Sequence, residues 1–339
     1  MVSIDEVARA AGVSTATVSR ALSGRGQVSL DTRSRVLATA AELGYVVSSS
    51  ASSLASGRTR NIGVLLPVVD RWYFSTVLAG IASGLQRAGY DITLYALTED
   101  AAERATVFET FLRRQRVDAV IAIAISLDAA EVERVEALGL PVVALGAAHP
   151  RLPSLSVDDV AVARLATGHL TALGHRSIAH IGTTSAYDAE GDHIPTLRRH
   201  GFEQAIADAG LPAASARHEH ADFTIEGGHR AAMRLLRSDQ PPTAIFAASD
   251  EMAIGALIAA RDLGLSVPGD LSIVGVDGHE LSGFFGLTTV DQFPHDQGLR
   301  AAEAVLAELG DVAPSAPLAP LPFELVVRAS TAPPARPAP

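Results

Sequence analysis

Residues 3–22 read SIDEVARAAGVSTATVSRAL, and this stretch decides what the amino-terminal end becomes. Ser3 is followed three residues later by Glu6, the spacing of a capping box, and Val7, Ala8 and Ala11 then recur at helical intervals. A short amphipathic helix is predicted. Gly12 suits the left-handed turn that stops a helix, Val13 is apolar and fits between two helices, and Ser14 can cap a second helix through Leu22. On that second helix Ala16, Ser19 and Arg20 lie near one face with Thr15 at its start, while Val18 and Leu22 point away into a small core. Small polar groups and one Arg suit a groove of DNA, so the expectation is a helix-turn-helix. A third helix is expected from a Ser29 cap through Thr32, Val36, Leu37 and Ala40 to Leu43, with Gly44 as its stop.

The charge is placed to match. The whole chain of 339 residues carries −11, which argues against general nucleic-acid affinity. Residues 1–60, however, hold seven Arg against two Asp and two Glu, a net of +3 that leaves −14 for the remainder. The basic end is therefore the candidate DNA module. All 27 basic residues are Arg, which together with abundant Ala reads as high-GC codon usage and not as chemistry.

At 48% apolar residues the chain can fill two or three cored domains. With no Cys it has no disulfide, thiolate metal site or cysteine nucleophile, as suits a reducing compartment. The start of the chain lacks the basic-then-apolar pattern of a secretory signal, and no apolar run reaches the roughly 18 to 20 residues that span a bilayer. A cytoplasmic protein with no membrane contact is expected.

From Ile62 onward strand and helix patterns alternate. Strands are predicted over 62–69, 91–97, 117–125, 141–146, 177–182, 216–219, 243–248 and 271–277. Helices are predicted over 74–89, 101–116, 132–140, 160–175, 197–210, 226–238 and 252–264. Such alternation means parallel sheets with right-handed crossovers, and this many units exceed one sheet, so two doubly wound parallel-sheet subdomains follow. Residues 45–60 are Ser-rich without a long apolar period, the composition of a linker, and the Pro-rich end after Thr331 is expected to be disordered.

Open parallel sheets bind ligands beyond the carboxyl ends of their strands. The segment after the first strand holds Trp72, Tyr73 and Phe74, the first being the chain's single Trp, and their faces could stack on a sugar ring or a base. Asp250 and Asp277 close two later strands and could accept hydrogen bonds from hydroxyls, although Asp250 equally suits a helix cap. Stacking rings with carboxylates point to a carbohydrate more than to a phosphate, for which no Gly-rich cradle is present; a purine or nucleoside is the alternative. Catalysis is not expected. His218, Glu219 and His220 lack the spacing of a metal site, and no G-x-S-x-G, P-loop or H-E-x-x-H pattern occurs. Neither a metal nor a cofactor is implied.

The runs IDEVARAAGVSTATVSRAL, VSLDTRSRVLATAAELGY and SLASGRTRNIGVLLP together resemble the lactose-repressor (LacI) family of bacterial transcription regulators, and the likeness extends over nearly the whole chain. The resemblance implies a helix-turn-helix head over 1–46 and a hinge over 47–60. It further implies one lobe from 61–159 and 292–321, a second from 160–291 and 322–332, and a tail over 333–339. The lobes would be like those of periplasmic sugar-binding proteins, joined by crossings near 157–161, 292–293 and 320–323. Thr15, Ala16 and Arg20 would read bases, and Thr17 and Ser19 would meet phosphates. In the hinge, 48–56 would form a helix that pairs with its mate in a homodimer, Ala51 allowing close approach and Leu54 wedging into the minor groove. Arg198 with Gly201 and Phe202 stands at the spacing of the family's effector-gripping arginine. Phe223 falls at its second stacking position, Gln292 at the cleft floor, and His175 at a structural histidine. The pattern departs from the family's at Val47, Ser48 and Ser52 in the hinge, at Trp72 where Pro is usual, and at Asp158–Asp159 where Asp-Asn is usual. A repressor released or recruited by a small effector is what the resemblance implies; a two-lobed solute-binding protein without a regulatory role is the other reading.

Overall fold

The computed structural model describes residues 2–23, 27–45, 58–98, 100–114, 116–146, 149–183, 193–313 and 320–335. The chain divides into two units, Met1–Arg60 and Asn61–Pro339.

The first unit holds three helices, α1 (Ile4–Ala11), α2 (Thr15–Ser23) and α3 (Leu30–Glu42). The capping box forms as the sequence predicts: Ser3 Oγ accepts from the Glu6 amide while the Glu6 carboxylate accepts from the Ser3 amide. Such a cap is worth about 1 kcal/mol to a helix this short, which propensity alone would not hold. Gly12 adopts φ 66°, turning the chain so that Ser14 Oγ takes the Thr17 amide at the start of α2. Val7, Ala8, Ala11, Val18, Ala21, Val36 and Ala40 form the buried core, with Val13 and Leu22 packed at its edge. Leu37, on the other side of α3, is exposed.

The second unit contains two sheets. The first has the order β2-β1-β3-β4-β5, all parallel, from β1 (Asn61–Leu66), β2 (Asp91–Ala96), β3 (Ala119–Ile123), β4 (Val142–Leu145) and β5 (Ser154–Leu155). The second has the order β11-β10-β9-β8-β6-β7, from β6 (Ile178–Gly182), β7 (Ala216–His220), β8 (Ala244–Ala247), β9 (Ser272–Asp277), β10 (Thr288–Asp291) and β11 (Glu324–Val326). Its pairs are parallel except β11, an antiparallel edge strand. Central strands such as β3 and β9 are buried at every position, the pattern of sheets covered on both faces.

Helices α4 (Trp72–Arg87), α5 (Ala101–Thr106), α6 (Ala129–Ala137), α7 (Asp159–Ala172), α8 (Ile194–Asp208), α9 (Ile225–Leu236), α10 (Asp250–Asp262) and α11 (Pro294–Glu308) cover those faces. Past Thr106 the helix predicted over 101–116 loosens into a π turn at Val107–Phe111 and tightens into a 3₁₀ turn at Leu112–Arg114. The backbone leaves the first sheet after β5 to enter α7, which packs on the second. It returns after β10 to form α11 on the first, and Leu321 of that first core precedes β11 of the second. Helices α4 and α11 meet at contact distance. A Cβ on Gly80 would lie 2.0 Å from the His295 carbonyl oxygen, and one on Gly298 would lie 2.0 Å from that of Val77, so only glycine permits the approach. β5, β10, β11 and α11 are additions to the predicted set; β5, with two residues, and β11, with three, are too short to show a period.

Candidate functional site

In the first unit Thr15, Ala16 and Arg20 are exposed on α2, and Thr17 and Ser19 are half-buried beside them. Arg20 Nε donates to the Ala16 carbonyl at 3.1 Å, which lays the guanidinium along the helix face. Thr17 Oγ1 lies 2.9 Å from Ser14 Oγ, tying it to the turn. Opposite, Val18 and Ala21 are fully buried. The helix therefore shows one fixed polar face while its other face is fastened into the core. Ala51 and Leu54 lie outside the described residues.

In the second unit each sheet reverses strand order beside its first strand, between β1 and β3 and between β6 and β8, the point at which a parallel sheet leaves a crevice. A cavity of about 210 Å³ lies there, and its walls include Arg71, Ala124 and Ser126 from the first sheet's side and His193, Arg198, Ser249 and Asp277 from the second's. Of the eight residues expected at an effector site, Tyr73, Phe74, Arg198, Phe223, Asp277 and Gln292 line it. Trp72 and Asp250 do not. The helix containing the aromatic segment begins at Trp72, two residues earlier than predicted, and its first turn carries the indole away from the cavity onto the His279 ring, 4.5 Å between centroids and nearly parallel. Asp250 is fully buried, and its Oδ2 accepts from the His279 amide and from Ser282 Oγ, both at 2.8 Å. It organises the loop after β9 and cannot reach a ligand; the cap of α10 is Ser249.

Arg198 is the hub. Its Nε donates to Asp159 at 2.8 Å, one amino group to the Ala248 carbonyl at 2.5 Å and the other to Gln292 Oε1 at 3.2 Å, and Gln292 Nε2 donates onward to Asp277 at 2.7 Å. Asp277 lies 3.9 Å from the guanidinium. Every member is nearly or fully buried. Burial lifts the Asp277 carboxyl well above the ordinary carboxylate range and Asp159 above it to a smaller degree, in both cases against the pull of Arg198. Burial disfavours the Arg198 charge as well, but the two carboxylates outweigh it and hold the guanidinium ionised. Asp158, beside this group, caps α7 through the Ala161 amide.

Three walls of the cavity are strained. Ala124, Phe223 and Asp277 have φ of 49°, 56° and 128°, a conformation that costs of order 1–3 kcal/mol for a residue with a side chain. Tyr73 donates its hydroxyl to Gln297 on α11 at 2.8 Å, and burial pushes its phenol pKa up, so it acts as a fixed neutral ring. Glu251 joins the wall half-buried, its carboxyl raised by burial against the attraction of Arg71. Arg71, Ser126, His193, Glu251 and Gln297 are lining residues that sequence reasoning missed. Gln297 could have been found from Pro294 at the head of a helical pattern; the others become neighbours only through the fold.

Two further histidines singled out by the sequence are held by the fold. His175 bridges Thr243 and the Ala332 carbonyl, and His218 shares a 2.9 Å hydrogen bond with buried His180. Glu219 pairs with Arg234. Among the described residues no group of three His, Cys, Asp or Glu side chains is placed to hold a metal, and no helix is long and apolar enough to cross a membrane.

A three-helix head of this form, joined to a two-lobed α/β unit with a cavity between its sheets lined by aromatic rings and a few buried polar groups, defines a DNA-binding regulator that answers to a small molecule. Comparison with known proteins agrees: a profile of bacterial regulatory proteins of the lacI family matches residues 3–48, and one of a periplasmic binding protein-like domain matches residues 167–331. Catabolite control protein A of Priestia megaterium is 31% identical over 334 residues, covering 97% of this chain and 99% of that protein. Two solved structures are also similar. The lac repressor dimer bound to operator and the anti-inducer ONPF superposes with a TM-score of 0.83 at 29% identity, over 98% of this chain and 99% of that one. A LacI-family regulator from Enterococcus faecium with bound ribose gives 0.71 at 26% identity, over 80% and 99%. The chain belongs to the LacI family of transcriptional regulators, and it is not an enzyme.

Proposed function

We propose that this regulator is a repressor that acts as a homodimer on a pseudo-palindromic operator in the cytoplasm, and that a neutral carbohydrate in the cavity controls its grip. Each protomer lays α2 in a major groove. Arg20 favours guanine, Thr15 and Ala16 touch a thymine methyl, and Thr17 and Ser19 bind phosphates. Ala51 and Leu54 belong to hinge helices that pair and open the central base step. Residues 61–159 with 292–321 form one lobe, and 160–291 with 322–332 the other. An effector that closes them alters hinge pairing, so operator and effector change each other's affinity by the same factor.

The observation that carries the effector class is the Arg198–Gln292–Asp277 chain facing Tyr73, Phe74 and Phe223. It offers carboxylate and amide acceptors with aromatic faces, the set that takes hydroxyls and the C–H face of a sugar. Arg198 is already bound to Asp159, so no cation of the hub is left over for a phosphate. The test is to select an operator from random duplexes and then to add neutral mono- and disaccharides, sugar phosphates and nucleosides to the complex. A neutral saccharide that changes operator affinity several-fold supports the reading; a response confined to sugar phosphates or nucleosides refutes it.

A further inference from the structure

Helix α4 starts without a local cap. Arg71 occupies the cap position and makes no side-chain hydrogen bond to the first turn, which leaves amides of that turn in want of acceptors. Near the Trp72 amide, and acting on it electrostatically, is the carboxylate of Glu251, which stands in the first turn of α10, on the other sheet. The adjacent Asp250 turns the opposite way and binds the His279 amide and Ser282 hydroxyl, fixing the loop after β9. His279 is further oriented by the Leu281 amide, which donates to its Nδ1 at 3.0 Å, so the ring is neutral with its proton on Nε2. That ring, 7% exposed, lies against the Trp72 indole. Two neighbouring carboxylates on α10 thus stand at both halves of one contact: Glu251 faces the backbone of Trp72, and Asp250 presents His279 to its ring.

Trp72 belongs to the lobe built on the first sheet, and Glu251 and His279 to the lobe built on the second. Their flanking residues Arg71, Tyr73 and Asp277, with Glu251 itself, line the cavity. We propose that Trp72, Glu251 and His279, with Asp250 as the positioning residue, form a latch that holds the two lobes closed beside the cavity with no ligand present. Because the latch uses no ligand atom, it sets how much of the protein is closed before binding, and any ligand enclosed by the lobes binds more tightly by that factor. A carboxylate at a helix N-terminus and a ring stack each shift such a two-state ratio by up to about tenfold.

The experiment needs neither DNA nor effector, so its outcome is independent of the function proposed above. The chain has no cysteine, and Gln86→Cys with Asp239→Cys places one spin label on an exposed site of each lobe. With the labelled protein diluted into unlabelled chain, so that each dimer carries at most one labelled protomer, the ligand-free protein is expected to give one short distance population. Glu251→Ala and His279→Leu are each expected to add a longer population, and His279→Phe, which keeps the stack, to retain the short one. Trp72 is the single tryptophan, so acrylamide quenching of its fluorescence gives a second reading on the unlabelled chain; it should rise in Glu251→Ala and in His279→Leu and stay low in His279→Phe. Far-ultraviolet circular dichroism checks that each variant is folded. A broad or long distance distribution in the unmodified latch, or distances and quenching unchanged by both Glu251→Ala and His279→Leu, would overturn the proposal.

Discussion

Replacing Arg198 with Met removes one cation from between two buried carboxylates while keeping most of the side-chain volume. Asp159 and Asp277 are then left without their positive partner, and the Ala248 carbonyl and Gln292 Oε1 each lose a donor. Breaking a buried ion pair costs about 3–5 kcal/mol, much of it the penalty of the charge left behind, so Arg198→Met should cost that much at neutral pH. Protonating the stranded carboxyls relieves the penalty. Both already have pKa values raised by burial, and a carboxyl whose folded pKa lies above its unfolded value supports the fold below the unfolded value and loses that support as pH rises through the folded one. The destabilisation should therefore shrink as pH falls toward the ordinary carboxylate range. Urea unfolding at several pH values measures it, and the double variant Arg198→Met with Asp159→Asn should recover part of the loss, giving a coupling energy. A cost below about 1 kcal/mol, equal at acid and neutral pH and additive with Asp159→Asn, would refute the hub as described.

The other expectations concern single contacts. Burial pushes the Asp250 carboxyl up to about 7 from 3.8, so the wild-type fold should lose stability as pH rises from about 4 through 7. By linkage this amounts to at most about 4 kcal/mol, and Asp250→Asn, which keeps an acceptor for His279 and Ser282, should flatten that part of the curve in denaturant titrations. Arg20→Ala should cost roughly 1–3 kcal/mol on the selected operator and relax base choice at one position; equal loss on all duplexes would remove base reading. Leu54→Ala should weaken specific binding while the protein stays folded and dimeric, and a normal footprint at normal affinity would dismiss the wedge. Gly298→Ala should destabilise the lobe built on the first sheet by about 1–3 kcal/mol, because its methyl group meets the Val77 carbonyl; thermal unfolding reads this directly.

What the sequence disclosed was local or periodic. Ser3 and Glu6 are three residues apart and their cap is complete within one turn, and the buried strands announce themselves because residues covered on both faces must all be apolar. Arg198 was identified through the family's spacing, and the fold supplies the reason for it: Asp159, Ala248 and Gln292 converge on one guanidinium from three distant segments. Trp72 and Asp250 were misassigned for the converse reason. An aromatic after a strand looks like a ligand platform, and a carboxylate at a strand end looks like a hydroxyl acceptor. Their real partners, His279 for the first and the His279–Ser282 loop for the second, are remote in sequence and meet them only once the sheets have formed. Glu251 was hidden by the same distance, since it stands beside a helix end that belongs to the other sheet.

Competition binding on a selected duplex tests the central claim most directly. With the full-length protein at moderate salt, an operator drawn from random sequence should be preferred over bulk duplex by about a thousandfold or more. If no duplex is preferred over bulk competitor, with or without small metabolites, α2 does not read sequence and the account fails.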